Sequence, residues 1–552
     1  MSDQNFSKQQ GVKALKKYDM KVSSIVFMIY CLVAAGAFGI EEMIPASGPG
    51  MTLLMLIIFP VIWAFPISNL VAECGSLLPS EGGVYVWVKE AFGEFWGFQA
   101  GWWATVSTYI TNGVYVALVA GYVSQFVSMS EGAIFAMKMG MILIFTVVNL
   151  LGIREVGRVS SVLSVLILAA FALVALVGFL NWNQNPMVPL VAEDMGILES
   201  VGGCIGICIW MYCGYECISN MAGEVKNPQV IPKGLLLAMP LIAATYVLPT
   251  LGGLASIGQW DSWSTEGGFG DSVGYASVLT ENMGAAWGYA FLFIAIISQC
   301  AIFNTYLASG SRGFFVLADD RLFPQFMVKV SQKKGVPYVG ILTLSVVTMF
   351  LAQYDFTTLV LAEVVFMLAL YIILPLSVVK LRKKYPVEGR EGLYIMGGGK
   401  LGLLFFVGAP VLISIIALLL NGTDYFLIGL IGTGTGPIFY LIFKWMYGGL
   451  AIDYPEQYPL NPKTRLCRGD IARLGWYGIF AGGFAFLGHF ALLWYEGEWG
   501  GEYYLEEWES GFLSNFDLMI EVLKIGGLVL FLGGILFLVL GRRWDPGTTA
   551  WK

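Results

Sequence analysis

Charged residues are scarce in this chain of 552 residues, where they make up 12% of the sequence. A soluble globular protein carries about 25%, so the deficit excludes a chain that is mostly exposed to water. Histidine is scarcer still, because His489 is the only one. The sequence therefore has no HExxH motif, and it also has no Walker lysine loop, so it predicts neither a metal-dependent enzyme nor an ATP-driven pump.

Cysteine pairs of the CxxC kind are also missing, although the chain has eight cysteines. Four of these, at positions 204, 208, 213 and 217, fall in one apolar stretch and are expected to be small buried residues. We therefore predict no metal site and no cofactor. The net charge of −7 argues against a nucleic acid partner.

Long apolar stretches fill most of the chain, and 57% of its residues are hydrophobic. A helix needs about 20 mostly apolar residues to cross a bilayer. Fourteen stretches meet or approach this length, at 22–45, 52–72, 95–128, 133–151, 158–180, 198–222, 234–257, 287–316, 338–352, 357–380, 401–420, 425–446, 472–494 and 518–540.

The loops between these stretches are sharply asymmetric in charge. Every second loop, starting with 46–51, lacks lysine and arginine altogether, whereas the alternate segments hold nearly all the basic residues. Basic residues collect on the cytoplasmic side of membrane proteins. The pattern predicts a multi-pass protein of the inner or plasma membrane with both termini in the cytoplasm.

Two of the predicted spans contain glycine where a helix is easily interrupted. The first span carries Gly36 and Gly39, followed by Glu41 and Glu42, and the sixth carries Gly214 followed by an acid. Broken helices at corresponding positions of two repeats are typical of binding sites in membrane transport proteins. Since the first and sixth spans each open a group of five, the spacing predicts two five-helix repeats.

A carboxylate inside a membrane span is energetically unfavourable, so it is a functional-site candidate by default. Glu216 and Glu41 are the main candidates here for binding a substrate or a proton. Glu42 suits that role less, because adjacent residues on a helix point about 100° apart. Glu363, in the tenth span, is a further candidate, and a hydrogen bond to a neighbouring helix is its structural alternative.

Several short motifs in the same chain resemble the amino acid–polyamine–organocation (APC) superfamily of transporters. The resemblance covers roughly residues 11–447. The motifs are GAFGIEE at the first break, EGGVY at 81–85, AGEVKNP at 222–228, ADDRLFP at 318–324 and KKYP at 383–386.

The resemblance implies an all-α membrane protein with the LeuT-like fold, in which five-plus-five inverted repeats surround a central site. It places the unwound part of the first helix at Ala35–Gly39 and that of the sixth at Tyr212–Gly214. It also matches two gating aromatics, Trp210 in the sixth helix and Tyr306 in the eighth. The predicted substrate-binding residues are Ala35, Gly36, Ala37, Phe38, Gly39, Glu41, Trp210, Tyr212, Cys213, Gly214, Glu216 and Tyr306.

The resemblance divides the chain into five segments. The division comprises a cytoplasmic N-terminal segment (1–21), a transporter core of twelve helices (22–447), a cytoplasmic linker (448–471), two extra spans (472–540) and a cytoplasmic tail (541–552). The extra spans have no counterpart in the twelve-helix core, so we expect them to pack on the periphery or to mediate assembly.

The implied function is secondary transport of a small amino acid or amine by alternating access. Carboxylates in the site favour a cationic substrate such as a polyamine or a basic amino acid, because they form charge-assisted hydrogen bonds with ammonium groups. A neutral amino acid, with Glu216 binding a proton, remains the alternative. A membrane enzyme is a more distant alternative, because the sequence has no catalytic motif, and so is a channel, which is not expected to show alternating-access repeats.

The coupling ion and the oligomeric state are left open by the sequence. Many sodium-independent members of the superfamily carry a lysine midway along the fifth helix, where this chain has Ile167. Ser298, Asn304 and Ser309 in the eighth span offer oxygens to sodium, although such groups usually bond neighbouring helices. A proton, a sodium ion and a counter-substrate therefore all remain candidate partners.

Overall fold

The computed structural model contains helices, turns and isolated β-bridges in the part of the chain that it describes. Helices suit a bilayer because they satisfy their backbone hydrogen bonds internally. The described residues are 19–34, 36–80, 82–151, 156–193, 195–227, 229–265, 273–331, 334–461, 464–467 and 469–544.

The α-helices are numbered here in chain order. The first ten are α1 (Val22–Val33), α2 (Ile40–Ser47), α3 (Pro49–Phe59), α4 (Phe65–Leu77), α5 (Gly83–Phe92), α6 (Glu94–Phe126), α7 (Glu131–Leu151), α8 (Val156–Leu180), α9 (Ile197–Met211) and α10 (Val230–Ser256). The rest are α11 (Tyr275–Met283), α12 (Ala285–Gly310), α13 (Gly313–Asp319), α14 (Tyr338–Leu351), α15 (Phe356–Lys384), α16 (Gly399–Leu420), α17 (Thr423–Tyr447), α18 (Asp470–Glu496), α19 (Gly500–Trp508) and α20 (Phe516–Trp544).

Two less regular helical segments matter for the site. Helices α3 and α4 are joined without a loop by one π-helical turn, Pro60–Ala64. Helix α9 is followed by a 3₁₀ helix, Tyr215–Glu224. The remaining 3₁₀ turns are Trp260–Ser262, Gln325–Val328, Val387–Gly389 and Gly449–Ala451.

Eleven helical stretches in the described part of the chain are long and apolar enough to cross a membrane. They coincide with the predicted spans two to four, six to eight and ten to fourteen. The first, fifth and ninth predicted spans coincide with shorter apolar helices, Val22–Val33, Ser164–Leu180 and Tyr338–Leu351. The total of fourteen spans therefore stays a prediction, as does the division of the chain into segments.

Apolar side chains cover the outside of the helix bundle. On α7, for example, Leu143, Ile144 and Val147 are each more than half exposed, at 55%, 62% and 55%. An exposed apolar surface of this kind is unfavourable in water and favourable against lipid. The surface therefore agrees with the membrane location predicted from composition.

The long helix α6 forms the central column of the bundle. It packs along α15 and α12, and it also contacts α5, α13, α14 and α17. Helix α10 packs against α8, α1 and α4 on another side. This arrangement brings α1, α6, α9, α12 and α15 around one buried region, which contains both helix breaks.

Two ionic contacts join helices at one end of the bundle. Glu73 on α4 accepts two hydrogen bonds from Arg382 at 2.7 and 2.6 Å and one from Arg390 at 2.8 Å. Lys444 on α17 donates to both carboxylate oxygens of Glu94 on α6, each at 2.6 Å. A buried charge is tolerable when it is paired and hydrogen-bonded, so these contacts explain five charges in or near the spans.

The extra helices α18 and α20 pack closely against each other along a seam of glycines. A β-carbon built on Gly482 would lie 2.3 Å from the backbone nitrogen of Phe531, and one on Gly527 would lie 2.6 Å from that of Phe486. Small residues allow such close backbone approach in membranes. His489 on α18 is buried beside Phe490, with a ring separation of 3.8 Å, so it packs as an ordinary helix residue.

The glycine seam gives a matched pair of substitutions on adjacent residues. Gly527→Ala places its methyl group against the backbone of α18, whereas Gly526→Ala meets nothing within 4 Å. Overpacking of this kind costs about 1–3 kcal/mol. We expect the first variant to lower the apparent melting temperature in detergent and the second to leave it unchanged. Equal effects of the two variants would contradict the proposed seam.

Candidate functional site

The first helix break separates α1 from α2. Helix α1 ends at Val33, and α2 begins at Ile40. Gly39 precedes α2 with φ of 90°, a left-handed conformation that residues with a β-carbon rarely adopt. A β-carbon there would also lie 2.7 Å from the ring of Phe356. Glycine at 39 is therefore required by both the turn and the packing, and Gly36, with φ of 112°, reverses the chain within the break.

The other predicted residues of this break differ in what they contact. Ala35 lies outside the described residues. Ala37 and Phe38 are buried. The ring of Phe38 packs on Tyr122 and Phe171, with centroids 5.4 and 4.8 Å apart. Phe38 therefore closes one side of the break with an aromatic cluster.

The second break follows α9. Tyr212 and Cys213 leave the helix, and Gly214, with φ of 95°, begins the 3₁₀ helix. The Tyr212 hydroxyl donates to the carbonyl of Leu56 at 2.9 Å, which ties this break to α3. The Cys213 thiol donates to the carbonyl of Trp210 at 3.0 Å. Both predicted breaks are thus present where glycine allows the backbone to turn.

The two breaks meet in space. A β-carbon on Gly214 would lie 2.9 Å from the hydroxyl oxygen of Tyr306 and 3.1 Å from the carbonyl oxygen of Leu32. The Tyr306 hydroxyl donates to that same Leu32 oxygen at 2.6 Å. Tyr306 therefore lies between the end of α1 and the second break, which brings two predicted site residues, Gly214 and Tyr306, together.

Tyr246 on α10 joins the ends of the two broken helices. Its hydroxyl donates to the carbonyl of Met211 at 2.8 Å and lies 3.2 Å from that of Val33. The last carbonyls of a helix have no donor within the helix. A buried hydroxyl supplies one here, so Tyr246 stabilises both breaks at once.

Glu216 lies just past the second break and is buried. The hydroxyl of Tyr371 on α15 donates to its carboxylate at 2.8 Å. The backbone N–H of Gly214 in turn donates to the oxygen of Tyr371 at 3.4 Å. Neutral donors from the break and from α15 therefore surround this carboxylate.

A small polar cavity of about 40 Å³ reaches Glu216. Its polar walls are formed by Thr105, Thr108, Asn220 and Ser309. A larger cavity of about 410 Å³ lies between α15, α17 and α18, but its walls are almost entirely apolar and none of the predicted site residues lines it. Of these two cavities, the smaller one therefore lies beside the second break and brings polar side chains to it.

The two acids after the first break have different surroundings. Glu41 is buried, and its carboxylate accepts from the backbone N–H of Gly39 at 3.0 Å and from the Tyr122 hydroxyl at 3.2 Å. Glu42 instead accepts from Ser264 at 2.9 Å and from the backbone of Thr265 at 2.6 Å. Glu41 thus supports the break, whereas Glu42 holds the loop after α10.

Glu363 on α15 is also buried within the bundle. One carboxylate oxygen accepts from the Ser107 hydroxyl of α6 at 2.9 Å. The other oxygen has no hydrogen-bond partner within the described part of the chain. A structural hydrogen bond to a neighbouring helix therefore accounts for only one of the two carboxylate oxygens of Glu363.

Aromatic rings separate these acids from the neighbouring helices. Trp210 packs on Phe356 and Tyr115, with ring centroids 5.4 and 6.1 Å apart. Tyr115 packs in turn on Tyr306 at 5.1 Å. Aromatic faces attract cations, so the walls of the region suit an ammonium group.

The buried carboxylates divide into two groups by their partners. Glu73 and Glu94 each pair with a lysine or arginine. Within the ranges that the structure describes, no such cation lies within ion-pairing distance of Glu41, Glu216 or Glu363. These three acids lie around the breaks and accept only from neutral donors. Two buried acids in another part of the bundle, Glu496 and Asp424, also accept from neutral donors, so it is the position at the breaks that distinguishes the three.

The eighth-span residues considered for sodium have ordinary helix contacts. The hydroxyls of Ser298 and Ser309 donate to carbonyls of their own helix, at 2.5 and 3.4 Å. The side chain of Asn304 accepts from Asn149 at 2.6 Å. Ile167, at the position of the family's lysine, is buried in α8. The nature of any coupled ion stays a prediction.

The sequence did not point to Tyr246, Tyr371 or Ser107. Each lies in a helix that the sequence already predicted, but its partner is far away along the chain. Tyr371, for instance, is 155 residues from Glu216. For Tyr246 and Tyr371, a tyrosine at the centre of a long apolar stretch could have indicated such a contact, because a buried hydroxyl requires a hydrogen-bond partner.

Comparison with known proteins identifies relatives of the chain. The family model described as amino acid permease matches residues 20–445. Polyamine transporter RMV1 from Arabidopsis thaliana is 28% identical over 422 residues, which cover 75% of this chain and 83% of that protein. Polyamine transporter PUT1 from Oryza sativa subsp. japonica is 29% identical, over 61% of this chain and 62% of that protein.

A solved structure shares the fold. The crystal structure of MhsT in complex with L-phenylalanine matches with a TM-score of 0.55 at 12% identity, and the match covers 74% of this chain and 99% of that one. With the two observed helix breaks, this likeness confirms the predicted all-α, LeuT-like fold. The chain is a multi-pass membrane protein.

The bridging role of Tyr246 leads to a testable expectation. Tyr246→Phe removes the one hydroxyl proton that lies between two buried carbonyls, and an unsatisfied buried group costs about 1–3 kcal/mol. We expect a lower apparent melting temperature in detergent. Tyr354→Phe, which alters a tyrosine that is 41% exposed, is the control and should have no effect. A Tyr246→Phe variant as stable as the wild type would show that the hydroxyl does not hold the breaks.

Proposed function

We propose, on the premise that the chain belongs to the amino acid permease family, that it is a secondary transporter of polyamines or similar small organic cations. The observation that carries the choice of substrate is the group of buried carboxylates at the breaks that have no cationic partner. A buried charge without a counter-charge is strongly unfavourable. A positively charged substrate would supply the missing charge during transport.

The geometry explains how an ammonium group would bind. The carbonyl oxygens at the ends of α1 and α9 carry the partial negative charge of helix C-termini. Glu216 adds a full negative charge a few residues beyond the second break. Ammonium groups donate three hydrogen bonds, so they suit a site that combines carbonyl and carboxylate acceptors.

The relatives support the same substrate class. Two of them are named polyamine transporters, and they match over 75% and 61% of this chain. The family match over residues 20–445 includes both helix breaks and the acids beside them. A neutral amino acid, with Glu216 binding a proton, is the competing outcome of the experiments below.

Transport would follow from alternating access to the breaks. The polar cavity beside Glu216 would provide one route to the site. Movement of Trp210 and Tyr306 would open and close the region on opposite sides. By the charge asymmetry of the loops, we place the chain in the inner or plasma membrane with its termini in the cytoplasm. A coupled proton, sodium ion or counter-substrate remains to be identified by flux measurements.

Substrate selection is testable in proteoliposomes. We expect saturable uptake of labelled putrescine, weaker uptake of arginine, and little uptake of alanine or glutamate, because the site offers unpaired negative charge. Liposomes without protein and liposomes preloaded with unlabelled putrescine complete the design. Faster uptake after preloading identifies exchange. Preference for alanine would overturn the cationic assignment.

The role of Glu216 is testable by a substitution that removes only its charge. Glu216→Gln should reduce putrescine uptake at least tenfold, because it removes a charge-assisted hydrogen bond of roughly 1.5–3 kcal/mol. Glu496→Gln is the matched control, since Glu496 is buried and accepts from Thr423 and Tyr504 within another part of the bundle. Elution as a monodisperse peak in detergent checks folding. Wild-type uptake by Glu216→Gln would remove Glu216 from the mechanism.

A further inference from the structure

We propose that Glu363 binds a second ammonium group of the same substrate molecule, so that the site selects compounds with two or more positive charges. This inference rests on the proposed function. In this proposal, Glu363 forms a second binding position on α15, outside the two helix breaks. Glu216 would bind one end of a diamine, and Glu363 would bind the other.

The first argument is the incomplete hydrogen bonding of Glu363. Its carboxylate is 2% exposed, and one oxygen accepts from Ser107 at 2.9 Å. The second oxygen has no partner within the described ranges. The nearby Thr111 hydroxyl has a single proton, which it donates either to the Ser107 carbonyl at 3.0 Å or to the Glu363 carboxylate. The neighbouring side chains therefore leave acceptor positions on the carboxylate for a ligand donor.

The second argument is the position of Glu363 relative to Glu216. Helix α15 contacts both regions, because Tyr371, two turns after Glu363 on that helix, donates to Glu216 at 2.8 Å. The two carboxylates therefore belong to one connected region and can act on one elongated molecule.

The third argument is the chemistry of the space around Glu363. Ser107, which donates to Glu363, lies on α6 about two turns before Tyr115, and the Tyr115 ring packs on that of Tyr306 at 5.1 Å. Aromatic rings can contact a methylene chain, and they also attract cations. The region lacks a lysine or arginine paired with either acid among the described residues. The combination suits an aliphatic chain with an ammonium group at each end.

Repulsion between the two acids gives the selection its physical basis. Two nearby carboxylates cannot both remain charged in a buried site without strong mutual destabilisation. A dication relieves both charges at once. A monoamine would leave one carboxylate without a counter-charge, and a neutral amino acid would bring a third carboxylate into the region. Selectivity for diamines over monoamines is thus the property that Glu363 should control.

The test is competition against labelled putrescine in proteoliposomes. The competitors are putrescine, cadaverine, spermidine and the monoamine butylamine. For the wild type we expect the diamines to compete much better than butylamine. Glu363→Gln should reduce this preference roughly ten- to hundredfold, the range expected for one charge-assisted hydrogen bond. Butylamine should compete at least as well with the variant as with the wild type, because the carboxylate that it leaves without a counter-charge is gone.

Two further variants separate this role from a structural one. Ser107→Ala removes the other partner of Glu363 and should retain most of the diamine preference. Glu363→Asp keeps the charge on a shorter side chain, so the best competitor should change to a longer diamine. If Glu363→Gln fails to fold, the competitor profile of Glu363→Asp decides the question. An unchanged profile, or an unchanged diamine preference in Glu363→Gln, would overturn the proposal.

Failure of the proposed function has a different signature. A wild type that takes up no amine at all contradicts cation transport as a whole. A wild type that takes up putrescine while Glu363→Gln keeps the full diamine preference contradicts only the second subsite. Glu496→Gln again serves as the buried-carboxylate control, and its competitor profile should match that of the wild type.

Discussion

A bilayer provides no hydrogen bonds to a polypeptide backbone, and the rest of this structure depends on that constraint. A helix that breaks in the membrane must find partners for its freed carbonyl and amide groups within the protein. Here tyrosine hydroxyls from α10 and α12 bond the carbonyls at the ends of α1 and α9, and Glu41 accepts from the amide of Gly39. The breaks are therefore possible only where these side chains converge.

The same constraint sorts the charged residues. Charges that serve the architecture are neutralised in place, as in the contact of Glu73 with Arg382 and Arg390. The acids around the breaks accept only from neutral groups, which leaves their charge available. Family membership establishes transport as the general activity, and this division of charges supplies the physical case for a cationic cargo.

The sequence predicted those features that depend on local composition. Apolar length located the spans, and glycine followed by an acid located both breaks, because the relevant residues are neighbours in the chain. Glu41 and Glu216 were recognised for the same reason. The partners of these residues were not predictable, since Tyr246, Tyr371 and Ser107 come from helices whose packing the sequence alone does not specify. The ion pair between Glu94 and Lys444, which are 350 residues apart, was not predicted for the same reason.

The tyrosine hydroxyls at the breaks are fewer than the carbonyl oxygens that they face. Three carbonyl oxygens, those of Leu32, Val33 and Met211, face two tyrosine hydroxyls, Tyr306 and Tyr246. Each hydroxyl has one proton to donate, so the described donors fall one short of the acceptors. An arriving ammonium group carries protons in excess and can replace either hydroxyl. The breaks are thus held together by fewer donors than acceptors, so replacing a tyrosine hydroxyl with an ammonium group as the hydrogen-bond donor would be a small rearrangement.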